Sequence, residues 1–497
     1  EGTQVIDVTN TEAFLVRKDS DGGDVFIVDT TNSRVGIGAT APQQPLHIKI
    51  DNSNSDPHFF IENANNGGRS HARFWNSSRN TYWSFGQDSD DAFKIGNSVH
   101  FGTASTIKFV LDSNSRISLS NNDSGGTGGG DSTSGNTIFG YLSGANIASG
   151  GINNLTFGHK AGTAITTGDA NTAVGYNALA TEDAGLGSVA VGYQALQNQN
   201  FDGDSGNVAV GSNSGNAITT GANNTFLGFR TGAVHTTGAK NIVIGSGAMD
   251  DTDAGSNSLD SDRNVFIGYD SGGGTWANTK SENNVAIGSY TMDSALDGAT
   301  HNTAVGDNAL SSITTGDNNV MLGSGTGDGL TTGSDNVFIG MDAGNATTDV
   351  DKAIIIGSSS ANADMTSGAD GTVGIGYNTL NALTSGASNT ALGAYALQEN
   401  TTGAYNTAIG YFAMGDTNAI ACSHNTFVGM NAGSGGWTGS TSDYNVGIGG
   451  FTLDGAMDGA SYNTALGVQA LSAVTTSSNN TGLGYRAGYS ITTGASN

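Results

Sequence analysis

The stretch NTAVGYNAL at 171–179 returns as NTAVGDNAL at 302–310 and as NTALGAYAL at 389–397. The shared kernel is Asn, a β-branched residue, a variable residue, a large apolar residue and Gly: Asn171, Val174 and Gly175; Asn302, Val305 and Gly306; Asn389, Leu392 and Gly393; Asn463, Leu466 and Gly467. Anchored on that Gly, the kernel recurs twenty times between Gly140 and Gly484, most often 17 residues apart and at most 23. So short a period fits one turn of a solenoid and is too short for a helical hairpin. A second period lies above it. Nine coils separate Gly158 from Gly323 (323 − 158 = 165 residues) and Gly323 from Gly484 (484 − 323 = 161), so super-repeats start near 158, 323 and 484. The third breaks off at Asn497, which predicts a polypeptide continuing beyond this chain.

Each column of the repeat carries a physical meaning. Asn stands four residues before the anchor in 17 of 20 coils, Ser188, Ala353 and Thr372 being the exceptions. A β-branched residue stands three before, and a large apolar residue one before. This alternation predicts a short strand, and these two columns are expected to line the inside of the coil. The column between them, with Phe226, Phe266, Met321, Phe338 and Phe427, is then expected to face outwards. A strand apolar on both faces is buried on both, so this middle column is expected to pack against another copy of the chain. Stacked Asn side chains are expected to hydrogen-bond along the axis. Twenty coils at the spacing of stacked strands predict a rod on the order of 95 Å long.

Composition agrees with a repeat architecture. The 497 residues include 78 Gly, only 3 Pro and 12% charged residues. The net charge of −27 disfavours nucleic acid and anionic membrane surfaces as partners. Cys422 stands alone, which leaves no intrachain disulfide. No apolar run reaches the roughly 18 residues of a spanning helix. The first residue is Glu1, which reads as a processed or partial chain. All three prolines and most of the basic residues lie in the first quarter, where DVFIVD, RVGIG, PLHIKI, TYWSFG and IKFVLD read as strands. The sequence therefore divides into an N-terminal β segment (1–50), a small β-rich domain (51–120), a Gly/Ser-rich junction (121–135) and the repeats (136–497).

Candidate chemistry is sparse. Asp19, Asp21 and Asp24 in DSDGGD, and Asp250, Asp251 and Asp253 in the insertion of the longest coil, are candidate Ca²⁺ ligands; ordinary acidic loops are the plainer reading. His301 and His424 each precede the Asn of a coil; rings of three His holding a metal on a trimer axis are one reading, and scattered histidines without a metal role are the plainer one. The recurring TTG suggests either a flat threonine array for ice or a turn, and a turn fits better because the threonines are adjacent. Aromatic and basic residues in 69–94 suggest a carbohydrate-binding or docking surface, or the core of a small domain. No recurring carboxylate pair, G-x-S-x-G, P-loop or H-E-x-x-H occurs, so no catalytic residue and no organic cofactor is expected.

NTAVGYNAL with the following TTGxxN resembles repeats of bacteriophage tail-fibre proteins. It is similar to the head repeats of trimeric autotransporter adhesins, with their N-S-V-A-I-G motifs. RVGIGATAPQQPLHIK (34–49) resembles the V-G-I-G-T-x-x-P-x-x-x-L-H-I segment of phage fibres, with Ala39 in place of Thr. The resemblance implies an all-β fold, a trimeric left-handed parallel β-roll of about twenty coils behind a small β-rich module. It implies a non-catalytic virion fibre that attaches to a host-surface glycan or protein and joins other tail proteins. A bacterial surface adhesin and a glycan-degrading tailspike are the alternatives.

Overall fold

The computed structural model describes residues 12–17, 24–37, 41–48, 70–76, 81–87, 93–96, 107–111 and 117–118, and from 135 to 497 all but 149, 252–259, 278 and 419. Among the described residues the chain is all-β, with three sheets. Strands β1 (Glu12–Arg17), β2 (Asp24–Asp29), β3 (Arg34–Ile37) and β4 (Leu46–Ile48) form the first. The segment RVGIGATAPQQPLHIK builds its edge: β3 and β4 pair in parallel, Val35 opposite Leu46 and Ile37 opposite Ile48. The intervening loop is tied down by Arg34, whose Nη1 donates to the carbonyl of Pro42 at 2.8 Å. A five-stranded sheet follows, from β5 (Ser70–Asn76) to β9 (Ile117–Ser118).

From β10 (Thr137–Phe139) to β29 (Thr481–Leu483), twenty three-residue strands stack in sequence order as one parallel sheet, a β-solenoid of about twenty turns. Every kernel pairs in register with the next, as Ala173 does with Ala190 and Val174 with Val191. The anchor glycines turn the chain out of the strand. Gly228 has φ +140°, and a Cβ there would stand 2.6 Å from the carbonyl oxygen of Gly245 in the next coil. Only Gly meets both constraints.

The two faces of the strand are the reverse of the sequence expectation. Phe226, Phe266, Met321, Phe338 and Phe427, expected at a contact with a second copy, are wholly buried inside the single chain. The flanking columns, expected inside, are the half-buried or exposed ones. The reason is volume sharing within a coil. Where the middle strand residue is Phe or Met, the residue four after the anchor is Gly: Phe226 with Gly232, Phe266 with Gly272, Met321 with Gly327, Phe338 with Gly344, Phe427 with Gly433. Where it is Ala, that position is Leu or Met, as in Ala173 with Leu179, Ala304 with Leu310, Ala391 with Leu397 and Ala408 with Met414; the exception is Ala209 with Gly215, where Leu196 and Phe226 of the neighbouring coils border the space. A Cβ on Gly272 or Gly433 would meet the ring of Phe266 or Phe427 at 2.8 Å. The two columns thus fill one space by turns, which keeps a thin coil close-packed.

The super-repeat is visible in the packing. Trp276 meets Phe266 edge-on at 5.7 Å, and Trp437 meets Phe427 edge-on at 6.0 Å, each pair displaced by 161 residues (437 − 276, 427 − 266).

Two side-chain ladders run along the axis. In the buried one, each Asn accepts from the backbone N–H of the Asn one coil later. Asn171 N–H donates to Asn154 Oδ1 at 2.9 Å and Asn319 N–H to Asn302 Oδ1 at 3.0 Å. The same amide donates to a turn carbonyl, Asn302 Nδ2 to Gly316 and Asn319 Nδ2 to Gly333, both at 2.8 Å. Those carbonyls belong to the TTG turns, whose first threonine bonds to the next coil, as Thr314 Oγ1 does to the Thr331 carbonyl at 3.0 Å. The threonines are turn structure.

The second ladder stands six residues before the anchor and runs the opposite way, with the donor in the earlier coil. Thr300 N–H donates to Asp317 Oδ1, Asp317 N–H to Ser334 Oγ, Ser334 N–H to Asp351 Oδ1 and Asp351 N–H to Asp370 Oδ1, at 2.7–3.1 Å. Ala404, Ser423, Asp443, Ser461 and Ser478 repeat the chain. Many aspartates read as solvated turn residues are therefore stitches between coils.

Candidate interaction surface

With the middle column inside, the flanking columns form the outer face of the twenty-stranded sheet. The residue before the anchor is large and apolar throughout: Leu227, Leu322, Leu392 and Leu466 are each between 44% and 48% exposed. Apolar side chains thus stand one per coil along the solenoid, which is more than the scattered exposure usual on a soluble surface.

Two aromatic ladders border this face. Tyr141, His159, Tyr176 and Tyr193, each directly after the anchor, stack with ring centroids 5.2, 5.2 and 5.3 Å apart. Tyr405, His424, Tyr444 and Tyr462, each directly before the Asn, stack at 5.0, 4.7 and 5.1 Å. The rings lie nearly parallel, so their faces cover one another and their edges and hydroxyls point away from the stack. His424 is therefore one rung of a ring stack. His301 occupies the same column position with φ +59°, in the left-handed region.

The metal candidates divide. Asp19, Asp21 and Asp253 lie outside the described residues, as does the side chain of Asp24. Asp250 pairs with Arg230 at 3.6 Å, and Asp251 accepts a hydrogen bond from Thr275 Oγ1. Among the described residues no group of three or more His, Cys, Asp or Glu is arranged to hold a metal ion. The side chains Arg69, Arg73, Phe74, Trp75, Tyr82, Trp83 and Lys94 of the aromatic and basic stretch lie outside the described residues.

Electrostatics mark a few sites. Asp293 is pushed up to about 6, by burial and by the neighbouring charges of Asp270 and Asp250. His235 takes a place that is Ile218 or Ile313 in other coils. Complete burial holds its imidazole down to about 4, and its Nδ1 makes no hydrogen bond. Burial pushes the Cys422 thiol up to about 11. Glu399 is raised by burial and by a hydrogen bond to Asp416.

Glu182 and Gln199 replace the aliphatic residue in two successive coils and are fully buried. Glu182 accepts from Gly185 N–H at 2.7 Å and from Gln199 Nε2 at 2.8 Å, and Gln199 also reaches Ser188 and Ser205. This network fills the gap that Ser188 makes in the Asn ladder. Sequence reading passed over it because it depends on a contact between coils. Comparison with known proteins adds no relative: no family model, no curated protein and no solved structure matches the chain.

Proposed function

We propose that this protein is a structural fibre of a virion, a non-catalytic tail fibre that carries an attachment surface to the host cell. In this reading it is a homotrimer, left-handed in its winding, with the outer sheet faces turned towards one another. Its partners are a glycan or protein of the host surface and other tail proteins. The observation that carries the reading is the apolar outer face repeated over the solenoid's twenty strands. A parallel in-register assembly removes that face from water while leaving the variable turns exposed for recognition. The resemblance of the repeats and of the 34–49 motif to fibre proteins points the same way.

The test is adsorption. Fluorescently labelled chain should bind bacterial cells saturably, be displaced by unlabelled chain, and compete with virions for the same cells. Binding without competition against any virion would favour a bacterial adhesin instead. Release of reducing sugar from the cell surface would replace the fibre reading with a tailspike.

A further inference from the structure

Among the described residues two tyrosine pairs lie face to face in neighbouring coils. Tyr176 and Tyr193 have ring centroids 5.3 Å apart and planes 10° from parallel; Tyr444 and Tyr462 stand at 5.1 Å and 2°. All four rings are exposed, from 43% to 58%. We propose that each pair is a modification site, where one-electron oxidation couples the two rings into a dityrosine that staples one coil to the next. The proposal is independent of the fibre reading.

The stacking geometry is what the new bond needs. Oxidation takes one electron and one proton from a phenol and leaves a phenoxyl radical, whose spin is shared by the carbons ortho to the oxygen. The lobes that carry this spin stand perpendicular to the ring. Parallel stacked rings turn those lobes towards each other, and the coils hold them there, so the two radicals meet without diffusing. One C–C bond forms between ortho carbons. Each joined carbon gives up its hydrogen as a proton, and each oxygen takes a proton back. In all, two C–H bonds are exchanged for one C–C bond, two protons go to water and two electrons go to the oxidant. That oxidant is a one-electron acceptor from outside the chain, of the class of a peroxidase ferryl haem.

The backbone gives a second observation. Tyr405, His424, Tyr444 and Tyr462 all lie at φ between +58° and +61°, in the left-handed region. In other coils the same place is Asn223, Asn318 or Gly371, residues that enter this region far more readily. The turn itself does not call for four aromatic rings in succession. A link between Tyr444 and Tyr462 closes a loop of 18 residues (462 − 444), and one between Tyr176 and Tyr193 a loop of 17 (193 − 176). Either loop restricts the unfolded chain as other cross-links do.

The same chain carries internal controls. His159 lies between Tyr141 and Tyr176, and His424 between Tyr405 and Tyr444. Each ladder therefore offers one coupling pair and one tyrosine whose stacked neighbour is a histidine. Tyr269 meets Tyr290, and Tyr377 meets Tyr395, both at 5.4 Å but with planes 75° and 86° apart. In these edge-on pairs the lobes of one ring meet the rim of the other, so proximity is kept while the facing of the lobes is lost.

Treating the full chain with a peroxidase and hydrogen peroxide, followed by peptide mass spectrometry and dityrosine fluorescence, tests this. Linked peptides joining residues 176 and 193, and residues 444 and 462, are expected, each two hydrogens lighter than its parts. They should come from chains that still run as single chains on a denaturing gel. Tyr193→Phe should remove the first link and Tyr462→Phe the second, each leaving the other in place. Phenylalanine keeps the ring in the stack, and circular dichroism checks that the fold is unchanged. His424→Tyr should add a link from residue 424 to residue 405 or 444. The oxidised chain should unfold at a higher temperature than the oxidised double variant Tyr193→Phe, Tyr462→Phe. The proposal is overturned if neither pair couples, if links form only between chains, or if the edge-on pairs couple as readily as the stacked ones.

Discussion

At the scale of single residues, the exchange between Phe338 and Gly344, or Ala304 and Leu310, is the rule that packs most coils. Phe338→Ala should lower stability by about 3–5 kcal/mol, the usual loss for emptying a buried aromatic site. Adding Gly344→Leu should restore part of it, because Leu310 holds the same backbone conformation (φ +55°) at the equivalent place. Denaturant titration of the two single variants and the double variant measures the coupling; additive losses would refute the shared space. Titration supplies a second residue-scale expectation. His235 is depressed to about 4 in the folded chain. Its contribution is therefore complete above its unfolded value near 6.5 and is lost as pH falls towards 4. Asp293, raised to about 6, acts in the opposite sense. Its contribution is present below its unfolded value near 3.8 and is lost as pH rises through 6. His235→Leu should flatten the fall in thermal midpoint between pH 6.5 and 4, and Asp293→Asn the fall between pH 4 and 6.

At the scale of the element, the strand and its ladders set how firmly one coil grips the next. Asn319→Ala removes the acceptor of Asn336 N–H and the donor to Gly333, and should lower stability by about 2–4 kcal/mol through two unsatisfied buried backbone groups. The chain already contains the complementary experiment. Asn336 Oδ1 accepts from Ala353 N–H at 2.9 Å, but Ala353 has no side-chain acceptor to offer Thr372. Ala353→Asn should stabilise by about 1 kcal/mol, read as a raised denaturation midpoint; no gain would mean the next coil is already satisfied. Here the limits of sequence reading are plain. The kernel, its register, the Asn ladder and the super-repeat are local and periodic, and each was legible. Which face of a three-residue strand is inside was not, because the strand's three columns are largely apolar. The deciding signal lies six residues downstream of the middle column, in the alternation Phe226–Gly232 against Ala173–Leu179. The ladder through Asp317, Ser334 and Asp351 escaped notice because Asp and Ser are chemically unlike while serving there as the same acceptor.

At the scale of the whole molecule, the proposed trimer rests on the outer sheet face. Sedimentation of residues 1–497 should give a mass near three chains. Leu392→Glu together with Leu466→Glu should shift it to one chain with unchanged circular dichroism, since both side chains lie outside the core. A wild-type monomer would remove the trimer from the functional proposal. The volume exchange has a further consequence, for how such a chain changes length over generations. In most coils the partner of a large side chain lies in the same coil, so a coil carries its own complement wherever it is copied. Duplicating or excising a whole coil, or a nine-coil block, leaves few mismatched neighbours. A cut through the middle of a coil separates Phe338 from Gly344 or Ala304 from Leu310. Lineages of this protein should therefore differ by whole turns, and an excision of residues 319–479, which cuts between coils, should give a shorter solenoid that still folds.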